Sequence, residues 1–233
     1  MADRRAGTVV FDLDGTLADT SADLIAAANA CFQARELGAL LDPVADALIA
    51  FHGGRAMLRA GYARLPADRL LPPGAEDEDY PRLLDHYAGA IAVHTRLYPG
   101  TEAALERLAA DGHILAVCTN KPAALAEVLL RELGIRDRFA AMIGADTLPV
   151  RKPDPRPYIA AVQDAGGEVA HSFLVGDTDT DRKTARAAGV RVALVAFGPE
   201  GAGLSRLSPE AMLDHYDDLP ALAADWLGQS RRQ

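Results

Sequence analysis

The residues Asp12-Leu13-Asp14-Gly15-Thr16 follow directly on the apolar run Thr8-Val9-Val10-Phe11. Two carboxylates one residue apart at the end of a buried strand cost free energy unless they share a metal ion or a proton. The chemistry this pattern offers is nucleophilic attack by one aspartate, assisted by Mg²⁺, while the other aspartate moves a proton. Gly15 and Thr16 allow a tight turn at the strand end and the start of a helix. Taken alone, the same five residues also suit a plain strand-to-loop turn, where Asp and Gly are common.

Three further segments have the same placement, after or beside an apolar run. Cys118-Thr119-Asn120-Lys121-Pro122 follows Ile114–Val117. A hydroxyl before a helix start supplies donors that suit a phosphate, and equally suits a simple N-cap with Pro in the first turn. In Arg151-Lys152-Pro153-Asp154-Pro155, with Pro157 just beyond, the prolines form a rigid segment. It either presents Lys152 to phosphate and carboxylate charge or leaves that lysine solvated in a turn. Gly176-Asp177-Thr178-Asp179-Thr180-Asp181 follows Ser172–Val175 and sets three carboxylates at a strand end, a pattern for a hard cation or for an acidic helix N-terminus. It is not an EF-hand loop, because positions 6 and 12 counted from Asp177 are Arg182 and Ala188. Of the 24 basic residues only Lys121, Lys152 and Lys183 are lysines. A chain that otherwise uses arginine keeps lysine where a compact ammonium is needed.

These loops need a scaffold that brings strand ends together. Apolar runs at 8–11, 114–118, 140–143, 172–175 and 192–195 alternate, in the later part of the chain, with helical patterns such as Ala103–Leu108 and Leu125–Leu133. This alternation predicts a doubly wound α/β fold, a Rossmann-like parallel sheet with helices on both faces and ligands beyond the strands' carboxyl ends. About 100 residues separate Phe11 from Ile114, where a simple crossover takes a dozen or more. The interval reads as a helical insert over 19–93, with the core domain formed by 1–18 and 94–233. Thr20-Ser21-Ala22-Asp23 has capping-box spacing. Leu24, Ala28, Cys31 and Phe32 predict one apolar helix face, and Tyr80, Leu83, Leu84, Tyr87 and Ile91 another. Pro72-Pro73-Gly74 predicts a loop between helices.

The composition narrows the classes. The chain has 233 residues, 49% hydrophobic and 24% charged, with a net charge of −9. That balance argues against nucleic acid or an anionic membrane surface as partner, but not against a small anion bound at a local site. Cys31 and Cys118 are far apart and predict reduced, buried thiols. The N-terminus shows no apolar signal segment and no run is long enough for a bilayer span, so the cytoplasm is the expected location. The six His residues show no zinc spacing, and no Gly-x-Ser-x-Gly, His-Glu-x-x-His or Walker P-loop occurs.

Asp12-Leu13-Asp14-Gly15-Thr16, Thr119, Lys152 and Gly176-Asp177 with Asp181, in this order and with a helical insert after the first loop, resemble the haloacid dehalogenase superfamily of phosphohydrolases over nearly the whole chain. That resemblance implies that Asp12 attacks phosphorus to form an aspartyl-phosphate, and that Asp14 protonates the leaving alcohol and then activates water. It implies Mg²⁺ held by Asp12, the Asp14 backbone carbonyl and Asp177, with Asp181 orienting a metal-bound water or Lys152. Thr119 and the backbone at Asn120, with Gly15 and Thr16, are the implied phosphate contacts. Asp14 argues against the dehalogenases themselves, which lack the second carboxylate. Longer segments, among them Leu97-Tyr98-Pro99-Gly100, Thr119-Asn120-Lys121-Pro122 and Lys152-Pro153-Asp154-Pro155, are most similar to the phosphoglycolate phosphatase family. By that likeness the insert is a cap, and Arg55 in His52-Gly53-Gly54-Arg55 is a candidate contact for a substrate carboxylate. The implied partner is a small phosphorylated metabolite. A phosphomutase of the β-phosphoglucomutase type shares both aspartates and a helical cap. A catalytically silent binding protein would be expected to lack Asp12, Asp14 or Lys152. Monomer and homodimer both remain open.

Overall fold

A computed structural model describes residues 7–228. In chain order the strands are β1 (Thr8–Phe11), β2 (Ala18–Asp19), β3 (Arg96–Leu97), β4 (Ile114–Cys118), β5 (Ala141–Ile143), β6 (Ser172–Gly176), β7 (Arg191–Val195) and β8 (Ala211–Leu213). The helices are α1 (Ser21–Ala34), α2 (Ala47–Ala50), α3 (Gly54–Tyr62), α4 (Ala75–Gly89), α5 (Thr101–Ala110), α6 (Ala123–Glu132), α7 (Arg156–Asp164), α8 (Asp179–Ala188) and α9 (Leu219–Gly228). Together they form two compact units, Met1–Ala18 with Leu97–Gln233, and Asp19–Arg96.

The first unit is built on a six-stranded sheet in the order β5-β4-β1-β6-β7-β8, with every neighbouring pair parallel. β1 is central. Thr8 lies beside Ile114 on one flank and Ser172 on the other, and Phe11 beside Val117 and Val175. All four of its residues are buried, as expected for an apolar strand covered on both faces. Val10, Ala116, Leu174 and Val192 pack with Tyr158 and Val162 of α7 and Ala185 of α8. Val9, Phe11, Leu115, Val117, Phe173 and Val175 alternate with them along the strands and are equally buried. On that opposite face Phe173 meets Trp226 of α9 edge-on. Helices therefore cover both faces, and the loops after β1, β4 and β6 leave from one edge. The expected strands are present; β5 starts one residue later than the apolar run. β8 was not read from the sequence: its apolar run, Ala211-Met212-Leu213, is only three residues long between Glu210 and Asp214, and two of the three are half buried.

The second unit is helical. Asp23 does not form the expected capping box: Thr20 is the N-cap residue of α1 but makes no side-chain capping bond. The Asp23 carboxylate instead accepts from the backbone N–H of His94 and of Thr95 and from the Thr95 hydroxyl at 2.8–3.0 Å. That buried knot ties residues 94–96 to the helices. Ala28, Cys31 and Phe32 are buried on α1, with Leu24 half buried. On α4 Leu83 and Tyr87 are buried, and Pro72-Pro73-Gly74 lies just before it, with Gly74 as N-cap at φ +93°. Cys31 and Cys118 are free thiols, both buried.

Candidate active site

The reactive groups gather where the sheet unit's central strands end. Asp12 continues β1 by one residue, its N–H donating to the Val175 carbonyl at 2.9 Å. Its carboxylate is fixed on both oxygens: Oδ1 accepts from the Leu13 N–H at 2.7 Å, and Oδ2 lies 2.9 Å from Lys152 Nζ. Lys152 is buried, not solvated, and its ammonium also meets Asp181 Oδ1 at 2.7 Å. Burial opposes charge on Lys152, but Asp12 and Asp181 outweigh it and raise its pKa above the ordinary lysine value. Asp12 is pushed up to about 6, chiefly by burial and further by Asp181, with Lys152 pulling the other way.

The β6 loop supplies the opposing acids. Gly176 closes the strand, and a Cβ there would lie 2.5 Å from the Asp181 side chain, so glycine lets the loop and helix α8 meet. Thr178 and Asp181 form a capping box at the start of α8, and Asp181 Oδ2 also accepts from the Thr178 hydroxyl at 2.6 Å. Both oxygens of Asp181 are thus engaged, one by Lys152 and one by the Thr178 turn. Asp177 Oδ1 accepts from the Thr16 hydroxyl at 2.7 Å. Burial, then the nearby Asp181 and Asp12, push the Asp177 carboxyl well above its ordinary value. Oxygens of Asp12, Asp177 and Asp181 lie within 4.8 Å of one another.

Asp14, two residues on from Asp12, is half buried and meets a lysine to which the sequence reading gave no role. Lys121 Nζ donates to both of its carboxylate oxygens, at 2.8 and 3.0 Å. Lys121 is itself buried, with its N–H donating to the Thr119 hydroxyl oxygen at 3.2 Å and its carbonyl accepting from the Ala145 N–H. The scarcity of lysine was the available signal for it. The [ST]-x-x-[DE] spacing that would have found Thr178 recurs at Thr20–Asp23, where no box forms.

The remaining expected residues fall as follows. Thr119 is buried at the end of β4, its N–H donating to the Ile143 carbonyl. It does not cap α6, which starts at Ala123 with that residue's N–H donating to Asp146 at 2.8 Å. The Asn120 amide donates to the Lys152 carbonyl at 3.0 Å and links the second loop to the third. Gly15, at φ +79°, donates its N–H to the Ala18 carbonyl, and Thr16 is fully buried against Asp177. The polar groups of this pair are engaged in shaping the loop and holding Asp177. Arg55 lies in the helical unit, where its guanidinium meets Asp77 at 2.5 Å and sits 3.8 Å from the centre of the Tyr80 ring. Cys118 ends β4, and burial pushes its thiol up to about 12, which leaves it protonated and unsuited to nucleophilic attack.

The donor set fits a hard divalent cation. Among the described residues, the ion pairs of Asp12, Asp14 and Asp181 are with two ammonium groups, Lys121 and Lys152, so these three acids and Asp177 together carry two more negative charges than those lysines supply when ionised. All the acids offer oxygen, the ligand such ions take. A buried carboxylate cluster with that excess either takes up protons or binds a cation.

The family model for haloacid dehalogenase-like hydrolases matches residues 9–195, which include every one of these loops. A phosphoglycolate phosphatase of Mesorhizobium japonicum is 39% identical over 94% of this chain and 95% of its own length. One from Cereibacter sphaeroides is 40% identical over 92% and 96%. Among solved structures, a predicted phosphoglycolate phosphatase from Haemophilus somnus superposes with a TM-score of 0.82 at 26% identity, covering 93% of this chain and 97% of its own. No helix among the described residues is long and apolar enough to cross a membrane. The chain belongs to the haloacid dehalogenase-like hydrolases and is a phosphomonoester hydrolase of the phosphoglycolate phosphatase-like kind.

Proposed function

We propose that this hydrolase cleaves 2-phosphoglycolate to glycolate and phosphate through an aspartyl-phosphate on Asp12, with Mg²⁺ as its cofactor. The observation that carries the mechanism is the meeting of Asp12, Lys152, Asp177 and Asp181 at one end of the parallel sheet, with Asp14 beside them. The relatives named phosphoglycolate phosphatase support the choice of ester.

An Asp12 oxygen attacks phosphorus as the bond to the ester oxygen breaks, and Asp14 gives that oxygen its proton. Water then attacks the phosphorus of the acyl phosphate, passes a proton to Asp14 and releases Asp12. Asp12, Asp177 and the Asp14 carbonyl would hold Mg²⁺. When bound it supplies positive charge that lowers the repulsion between carboxylate and phosphate dianion and stabilises the transferring phosphoryl group. Lys152 adds fixed positive charge beside the nucleophile. Asp181, with both oxygens engaged, acts by holding Lys152. Thr119 and the Asn120 N–H would bind phosphoryl oxygens, with Gly15 and Thr16 shaping their loop. The helical unit, inserted directly after the nucleophile loop, would serve as the cap that excludes water, and Arg55 as its contact to the substrate carboxylate. The protein would work in the cytoplasm on a small phosphorylated metabolite.

The test is phosphate release from 2-phosphoglycolate and a panel of sugar and nucleotide monophosphates, with Mg²⁺ or EDTA, for wild type and Asp12→Asn. Preference for 2-phosphoglycolate, lost with EDTA and with the substitution, is the expected result. Mg²⁺-dependent turnover of other esters instead would keep the mechanism and discard the substrate. No turnover of any ester would point to a mutase, a substrate outside the panel or a silent binder.

A further inference from the structure

The Lys121–Asp14 pair has a consequence for which esters the site accepts, and it rests on the reading of Asp14 as the acid that meets the leaving oxygen. Lys121 follows β4, the neighbour of β1, so sheet order alone brings its loop beside Asp14. Its backbone is fixed by bonds to the Thr119 hydroxyl and from the Ala145 N–H, and its side chain is buried while Asp14 keeps partial exposure. Such an ammonium is held in place by the protein rather than sampling solvent. It is also distinct from Lys152, which serves Asp12 and Asp181 on the nucleophile's side. The site therefore has two cations with separate stations, one at the attacking carboxylate and one at the proton-carrying carboxylate.

A leaving oxygen hydrogen-bonded to Asp14 sits about 2.7 Å from that carboxylate. Lys121 Nζ, 2.8 Å from one Asp14 oxygen and 3.0 Å from the other, then lies no more than about 5.7 Å from the leaving oxygen by adding the two contacts. In an ester of a 2-hydroxy acid, ordinary bond lengths put a carboxylate oxygen about 3 Å from the ester oxygen. An ammonium has three donors and can serve a carboxylate of the protein and one of the ligand together. We propose that Lys121 is a specificity-determining residue: it selects phosphate esters with a carboxylate on the carbon next to the ester oxygen, contacting that carboxylate while holding Asp14.

The experiment compares kcat/KM for 2-phosphoglycolate and for ethyl phosphate, its analogue with a methyl group in place of the carboxylate, in wild type, Lys121→Met and Lys121→Arg. Lys121→Met is expected to lower the preference for 2-phosphoglycolate over ethyl phosphate by about 10–100-fold, the range of one charge-assisted hydrogen bond, with the larger share in KM. Lys121→Arg is expected to recover part of that preference. An equal loss on both esters would make Lys121 a positioning residue for Asp14 alone and overturn the proposal, as would no change. Thermal unfolding checks each variant, and if Lys121→Met does not fold, Lys121→Gln is read by the same ratio. If wild type turns over neither ester, the proposed substrate fails by itself. The ratio is then read on 2-phospholactate against isopropyl phosphate, where the absence of a Lys121-dependent preference for the carboxylated ester overturns the inference.

Discussion

Two buried charge clusters, one around a single carboxylate and one around four, are compensated in opposite ways. In the helical unit Asp79 is fully buried, and Arg35 holds it with Nε at 2.5 Å and Nη2 at 3.1 Å. Arg82 donates to it at 3.0 Å, and the Tyr62 hydroxyl donates to it by a short bond. One carboxylate faces two guanidinium groups and a phenol. Burial alone would raise its pKa, but Arg35 and Tyr62 prevail and hold it below the ordinary value. In the sheet unit four carboxylates face two ammonium groups, and burial drives Asp12 and Asp177 upward. A cluster that saturates its own charge locks packing, whereas one that leaves charge over is built to receive something.

The difference is broken most sharply by neutralising one acid in each cluster. Asp12→Asn removes the nucleophile and one of four crowded carboxylates. Turnover is expected to fall by about 10⁴-fold or more, measured by phosphate release, while the midpoint of thermal unfolding without added metal holds or rises. A variant that loses activity because it no longer folds would refute the view that this cluster is a site rather than a structural element.

Lys152→Met is the next largest test, because this lysine is where the two kinds of cluster overlap. Its ammonium compensates Asp12 and Asp181 within a buried site, so its removal leaves two buried acids without it. Activity should be lost, and denaturant unfolding should show a loss of about 3–5 kcal/mol, the usual cost of removing one partner of a buried ion pair. Loss of activity at unchanged stability would mean that the surrounding acids take up protons at little cost.

Asp79→Asn is the counterpart in the helical unit. It strands Arg35 and Arg82, but both keep some exposure, so about 2–3 kcal/mol of stability is expected to be lost, with the sheet unit's chemistry intact. Because the folded pKa of Asp79 lies below its ordinary 3.8, the unfolded chain binds its proton first as pH falls. The stabilisation is present above 3.8 and lost below it. The gap in urea stability between wild type and variant should therefore be flat above about pH 5 and narrow at lower pH. A gap that widens in acid would contradict the pairing.

What the sequence could show follows from where each interaction is encoded. Asp12, Asp14 and Asp177 stood out because an acid after a four-residue apolar run is a local anomaly. The parallel sheet was legible because β1, β4, β6 and β7 each carry three or more consecutive apolar residues, with β-branched valine among them. β8 was not, since its three apolar residues, none of them β-branched, are too short a run to stand out. Lys121 could be read only as a member of a loop; its bond to Asp14 joins positions 107 residues apart and exists because β4 lies beside β1. The Thr16 contact to Asp177 spans 161 residues and depends in the same way on β1 lying beside β6. At Asp23 spacing misled, because a local cap lost to a buried turn at His94 and Thr95 that offers three donors at once.

The smallest predicted effect concerns that Thr16 bond. Asp177 has few compensating partners in the protein, so its orientation toward the other acids depends on the hydroxyl that donates to it. Thr16→Val keeps the shape of the side chain in a fully buried position and removes only the donor. If Asp177 is a cation ligand, losing the group that orients it should weaken Mg²⁺ binding by about 10-fold, the lower end of the cost of removing such a supporting bond. The measurement is the rise in thermal midpoint on titrating Mg²⁺, since an ion that binds only the folded state stabilises it by RT ln(1 + c/Kd) at a free Mg²⁺ concentration c. Wild type should show a rise, Thr16→Val the same rise displaced to about 10-fold higher Mg²⁺, and Asp177→Asn little or none. An undisplaced Thr16→Val curve would mean that the surrounding loop holds Asp177 in place, and that the excess charge of the cluster is sufficient to capture the ion.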